Sequence, residues 1–397
     1  MNPLGAARGS YKVCQMFYTL ADIPKNQRSN VDKLQLCMIF KEKLLKKYSP
    51  RVIFKRLLED LVILEQGIMM NVPEPKLNKF GLLIYCADNL ESHTIGGFSA
   101  SFSSKSVCRM CHIQYNQLED DIMHHAKWTC QEYDDIVKSI NDSEANDEIV
   151  EHVEYAIDLE TEDDLSEDGS DATDDNETEE EDENEEEIVS ENWGLKYKCP
   201  FNDLKSFHAV SGFPPDLMHD WFEGVIPEDL LAIIRNLSSK RWFTLEAYNR
   251  KLTKFGWYSH EAGDKPQSVP LYRKAVKLKG KAISQWVHCR NFLMIIKEFI
   301  ADNHDSVLSL ALKLNEITER ITASEFYEYE IEMLHDEVKD YLKMREEVRI
   351  EFPEFFMRPK PKHHFIRKMS KRKLNADKFT ALLLADILYT NYQPIGV

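Results

Sequence analysis

The stretch Phe80–His112, FGLLIYCADNLESHTIGGFSASFSSKSVCRMCH, decides how the chain is read. It opens on an apolar run from Phe80 to Ala87. That run is too short to span a membrane and has the length and composition of a buried strand. It stops at Asp88. A carboxylate at the C-terminal end of such a strand sits where strand ends open onto a cleft, a common place for metal and ligand chemistry. The plainer reading is that Asp88 caps the turn that follows. The pair Gly96-Gly97 predicts a turn. Cys108-x-x-Cys111 then has the spacing at which two thiolates hold one metal ion from a tight turn. The stretch therefore offers a possible metal-binding carboxylate and a possible zinc knuckle.

Working outward, Tyr11–Leu20 (YKVCQMFYTL) and Leu34–Phe40 (LQLCMIF) read as strands. Ser49-Pro50 opens a helix over Arg51–Gln66, with Val52, Ile53, Leu57, Leu61 and Leu64 at helical spacing, and Gly67 stops it. The order strand, strand, helix, strand is an α/β beginning. Beyond residue 225 the periodicity is helical: Pro227–Leu237, Thr244–Phe255, Lys279–Ile300, Ser306–Glu319 and Ala323–Glu351. Pro353–Phe365, PEFFMRPKPKHHF, reads as irregular.

Charge divides the chain. The protein has 68 Asp and Glu, and 26 of them lie in residues 141–191, which contain no Lys or Arg; 42 remain elsewhere, against 50 Lys and Arg. The chain reads as a mildly basic body carrying an acidic insert that has too few apolar groups to fold. The basic body can face nucleic acid, and the insert can contact a basic protein partner. No apolar run reaches the length of a membrane span, and MNPLGAARGSYK has no signal-peptide core. Eight cysteines without a paired framework predict reduced thiols in the cytosol or nucleus.

The Cys108–Cys111 pair needs further ligands. One set is His124 or His125 with Cys130; the other is Cys199 with His208, favoured because ordered sequence resumes there. Asp216 follows two prolines, and His219 lies three residues on, so both fall on one face of a helical turn, with Asp220 and Glu223 close behind. Arg273, Lys274, Lys277, Lys279 and Lys281 form one basic cluster, and Arg358, Lys360, Lys362 and the lysines and arginines of 367–373 form another. Each is either a solvated face or a set of phosphate contacts. No Gly-rich phosphate loop or Ser/His/Asp set is visible, which sets kinases and hydrolases aside.

In order along the chain, Asn2-Pro3-Leu4-Gly5, Tyr18–Pro24, LEDLVILEQG (58–67), CADNLESHTIGGF (86–98), Cys108-Arg109-Met110-Cys111, Asp216-Leu217-Met218-His219 and KPKHHF (360–365) resemble successive segments of CACTA-type DNA transposases and their animal relatives. The resemblance covers roughly residues 1–366. It implies an RNase H-like α/β core of DDE type over residues 1–112, lacking its first strand, and an insertion beginning at 113–140 with the knuckle. The disordered acidic linker 141–191, a mostly helical region 192–366 and a divergent tail 367–397 follow. It also implies a nuclear, DNA-directed protein whose three carboxylates hold two Mg²⁺ or Mn²⁺ ions for strand cleavage and transfer. Asp88 falls on the second carboxylate. The first would precede Asn2, and no matching Glu follows Ile366, so the expected chain binds without cutting. Asp216, His219 and Glu223 fall on a supporting signature. The alternative is a zinc-stabilised interaction module with an acidic contact segment and no DNA role.

Overall fold

The computed structural model describes residues 13–24, 27–28, 30–71, 74–99, 106–118, 126–146, 194–272, 274–323 and 327–371. Asn2–Gly5, His124, His125, Arg273, most of the acidic segment and most of the tail lie outside them.

Strands β1 (Val13–Tyr18) and β2 (Gln35–Lys41) pair antiparallel, with a register shift between Met16 and Phe17. A short helix α1 (Lys43–Lys47) leads to α2 (Pro50–Gln66), which begins with proline in its first turn and ends at Gly67, as the sequence predicts. A second antiparallel pair follows, β3 (Ile68–Asn71) with β4 (Pro75–Asn78). The architecture is thus helices with small antiparallel sheets.

The apolar run Phe80–Ala87 differs from expectation. It forms no strand among the described residues. Tyr85 is buried, whereas Gly81, Leu83 and Cys86 are exposed, so only one side packs. Tyr85 N donates to Gly212 O at 2.9 Å, and its ring lies 5.4 Å from Phe201 and 5.5 Å from Phe213. Side-chain packing against aromatics, rather than ladder pairing, holds the run in place.

Helix α3 (Asn89–Gly96) follows directly, and α4 (Cys130–Asn146) continues six residues past the expected boundary at 140. Gly97 ends α3 with φ 81°, and a Cβ there would sit 1.9 Å from Tyr197 O. Only glycine allows that conformation together with that approach. These elements enclose a core rich in aromatic residues, including Phe54, Phe98, Tyr133, Phe201 and Phe213.

A single helical turn α5 (Ala209–Gly212) leads through Pro214-Pro215 into a π-helical stretch, Met218–Val225, continuous with α6 (Ile226–Ser239). Then come α7 (Leu245–Lys254), α8 (Ala282–Ile296), α9 (Ser306–Ile321), α10 (Glu328–Glu351) and α11 (Pro361–Lys371). Their apolar faces form the largest core, around Trp221, Leu230, Phe292, Leu314 and Tyr341. No described helix is long and apolar enough to cross a membrane.

Helix α11 occupies the KPKHHF segment, which reads as irregular in sequence. Pro361 takes the first helical position, where its missing N–H costs nothing. Lys360 N donates to His363 Nδ1 at 3.1 Å, the reach-back contact of a helix start.

Candidate metal centre and the acidic cluster beside it

Cys108 and Cys111 lie on a tight turn held by Trp128 N to Met110 O at 3.4 Å and His112 N to Ala126 O at 3.1 Å. Met110 N points back to Cys108 Sγ at 3.3 Å, an N–H to sulfur contact that orients a thiolate. The third member comes from far along the chain. His364 on α11 places Nε2 3.1 Å from Cys111 Sγ. The three ligand atoms lie within 4.8 Å of one another, and all three residues are buried. Zinc bound at ~2.3 Å from sulfur and ~2.0–2.1 Å from nitrogen sets tetrahedral ligand atoms about 3.5–3.8 Å apart, so the set fits one ion. Two thiols and an imidazole are the soft and borderline donors that zinc selects.

A small core of Val107, Met110, Ile113, Leu118 and Phe365 surrounds the centre, excluding water. Helix α11 is pinned on its other side as well. His363 Nε2 lies 3.6 Å from Asp229 Oδ2, and Ile366 enters the main helical core.

The favoured completing pair, Cys199 with His208, lies elsewhere, while His124 and His125 fall outside the described residues. Cys199 is buried in the aromatic core; its N–H donates to Tyr133 Oη at 2.9 Å, and burial pushes its thiol up to about 12. His208 accepts from Val210 N through Nδ1 and faces Asp134 Oδ1 at 3.4 Å through Nε2. Both serve local structure. Cys130 is exposed at the start of α4.

Asp88 is exposed, and its Oδ1 accepts from Glu91 N at 2.7 Å, capping α3. The adjacent Asn89 begins a buried network. Its Nδ2 donates to Asp220 Oδ1 at 2.6 Å, and its Oδ1 accepts from Arg109 Nη1 at 2.8 Å; Arg109 Nη2 donates to Pro214 O at 2.7 Å. Arg109 stands between the two cysteines, so the knuckle, the start of α3 and the π-helical stretch are tied together. Burial and the charge of Asp216 raise the pKa of Asp220 well above the carboxylate range.

Asp216 caps the π-helical stretch, accepting from His219 N at 3.0 Å, and its Oδ2 lies 2.5 Å from His219 Nδ1. Burial alone lowers the His219 pKa, but the hydrogen bond and charge of Asp216, with Glu223 and Asp88 nearby, raise it to about 9. Stability from this pair is complete below the ordinary histidine value of ~6.5 and is lost as pH rises through about 9. An NMR titration of His219 should show its midpoint near 9, returning to the ordinary range in Asp216→Asn; a wild-type midpoint below about 7 contradicts the pairing. Glu223 Oε1 accepts from Ala282 N at 3.1 Å and so caps α8.

The two basic clusters separate. Lys360 Nζ donates to Glu228 Oε1 at 2.9 Å and Lys362 Nζ to His219 O at 3.0 Å; both are half-buried and serve the fold instead of a phosphate. Lys274, Lys277, Lys279 and Lys281 are exposed, and no described carboxylate pairs with them.

Sequence reasoning missed His364. The adjacent histidines of KPKHHF were the available signal, but a partner 253 residues from Cys111 has no spacing rule to expose it. Comparison with models of known families, with characterised proteins and with solved structures finds no match to this chain.

Proposed function

We propose that this is a transposable-element-derived protein of the DDE, RNase H-like transposase type, nuclear and directed to DNA, which binds without cutting and is stapled by a structural zinc ion at Cys108, Cys111 and His364. The observation that carries the reading is the meeting of Cys108–Cys111 with the KPKHHF segment, Cys111 Sγ standing 3.1 Å from His364 Nε2. Both segments belong to the transposase-like series, and their convergence supports a common inheritance. In this reading zinc supplies cross-linking rather than Lewis-acid chemistry, a role that the burial of all three ligands supports and that calls for a fourth protein ligand to close the tetrahedron.

The binding-only part is supported by the place of Asp88. A two-ion site needs several carboxylates converging at coordination distance. Asp88 instead caps α3, and among the described residues the one group of three or more metal-ligating side chains is the thiol–imidazole set.

The test uses purified protein with duplex DNA and supercoiled plasmid. We expect salt-sensitive duplex binding and no Mn²⁺-dependent nicking. Asp88→Ala should cost about 1 kcal/mol of stability through the lost cap, and Asp88→Ser only a few tenths. Plasmid nicking by the wild type that disappears in both variants sinks the binding-only reading, since serine restores a cap and cannot restore a metal ligand. Absence of any DNA binding favours the interaction-module alternative.

A further inference from the structure

We infer that the described residues 264–272 and 274–281 form a preorganised platform for single-stranded nucleic acid, with Tyr272 as its stacking surface and Lys274, Lys277, Lys279 and Lys281 as its phosphate contacts. The inference rests on the DNA-directed reading and names the surface that carries it.

This segment is the second part of the connection from α7 to α8, after a 3-10 turn at Ser259–Glu261, and its described residues have no regular secondary structure. Irregular connections of such length inside a compact domain are uncommon and mostly functional. It is nevertheless fixed at four positions. Val269 exchanges two hydrogen bonds with the Asn249 side chain on α7, at 2.8 and 2.9 Å. Arg235 on α6 donates to Tyr272 O and to Ala275 O, each at 2.7 Å. Leu278 N donates to Pro227 O at 3.0 Å. The Val269 and Leu278 side chains are buried beneath it. The backbone is therefore turned toward the body and held there, while the intervening side chains face out.

Those outward side chains are of two kinds. The lysines at 274, 277, 279 and 281 are exposed and have no carboxylate partner among the described residues. Among them stand Leu271 and Tyr272, more than half exposed. Exposed apolar groups beside exposed lysines suit a ligand that is both anionic and flat-faced. A nucleic-acid strand has both features, and unpaired bases offer the π-face that a duplex conceals. The bonds from Arg235 order the ribbon in advance, which lowers the entropic cost of binding.

The experiment measures anisotropy of a labelled oligothymidine and of a labelled duplex with the full chain, across a range of salt. Lys277→Glu/Lys279→Glu should weaken oligothymidine binding about tenfold or more and flatten the log–log salt dependence by about 1.4. The charge-matched Lys339→Glu/Lys343→Glu on α10 should change it less than about twofold. Tyr272→Ala should weaken oligothymidine binding about tenfold and leave the duplex nearly unaffected. Thermal midpoints equal to wild type establish that the variants fold. If both lysine pairs lose affinity equally, the platform assignment is overturned while DNA binding stands. If the wild type binds neither nucleic acid but binds polyglutamate, the DNA reading falls too, and the ribbon is a surface for acidic polypeptides.

Discussion

Cys111→Ser should lower the thermal midpoint by about 6 °C, and a strong chelator should shift the wild type by the same amount. A serine hydroxyl is a poor zinc ligand, and the site it would leave is buried. Zinc binding by small folded peptides is worth ~10–16 kcal/mol when folding depends wholly on the ion. Here the aromatic and helical cores fold around their own side chains, so only a part of that energy bears on global stability. A loss of about 3–4 kcal/mol translates into roughly 6 °C for a body of this size. The same variant should lose the ion, as should Cys108→Ser and His364→Ala, whereas Cys199→Ser and His208→Ala should keep about one ion per chain. Elemental analysis settles which set binds. A metal-free wild type whose melting ignores chelator rules out the staple; retention of metal in His364→Ala would return attention to ligands outside the described residues.

The second large effect should come from Asp229→Ala, at about 3–5 kcal/mol. Asp229 lies on α6 and is buried, and Arg345 on α10 places Nε 2.9 and 2.8 Å from its two oxygens. Tyr341 Oη donates to the same carboxylate at 2.5 Å. Burial pushes the Asp229 pKa up, yet the charge of Arg345 and the neighbouring His363 outweigh it and hold the carboxyl well below its ordinary range. Because the folded value is depressed, this stability is present above the ordinary carboxylate pKa and is lost as pH falls toward the depressed folded value. Truncation strands the guanidinium of Arg345, which is 2% exposed. Removing both charges avoids that stranded ion. The double variant Asp229→Ala/Arg345→Met should therefore be less destabilised in urea than the sum of its singles by about 2 kcal/mol. Additive losses contradict the ion-pair account.

Much of the helical half was legible because apolar periodicity over a long window is a strong signal. Thr244 was placed at the start of its helix, and its hydroxyl indeed caps α7. Ser49-Pro50 and Gly67 bound α2 within a residue of expectation. The failures share a cause: they depend on partners far away in sequence. Phe80–Ala87 has a strand's composition, but pairing requires a neighbour that composition cannot supply. Lys360 and Lys362 look like a basic patch until Glu228 and the His219 carbonyl are seen beside them. Prolines around KPKHHF hide α11, since proline marks a helix start and a chain break alike. Asp88 was placed correctly at a structural boundary, and the plainer of its two readings describes its contact.

The contact between Cys111 and His364 also bears on how freely the chain can change length. It closes a loop of 253 residues. The entropy of closing a flexible loop grows only with the logarithm of its size. Removing a stretch of about fifty residues from inside it, as long as the acidic segment, alters that entropy by only about 0.2 kcal/mol. Insertions of similar length are equally inexpensive. The staple thus tolerates drift in the sequence it encloses, so that segment can lengthen, shorten or change composition while the two ends of the fold stay joined.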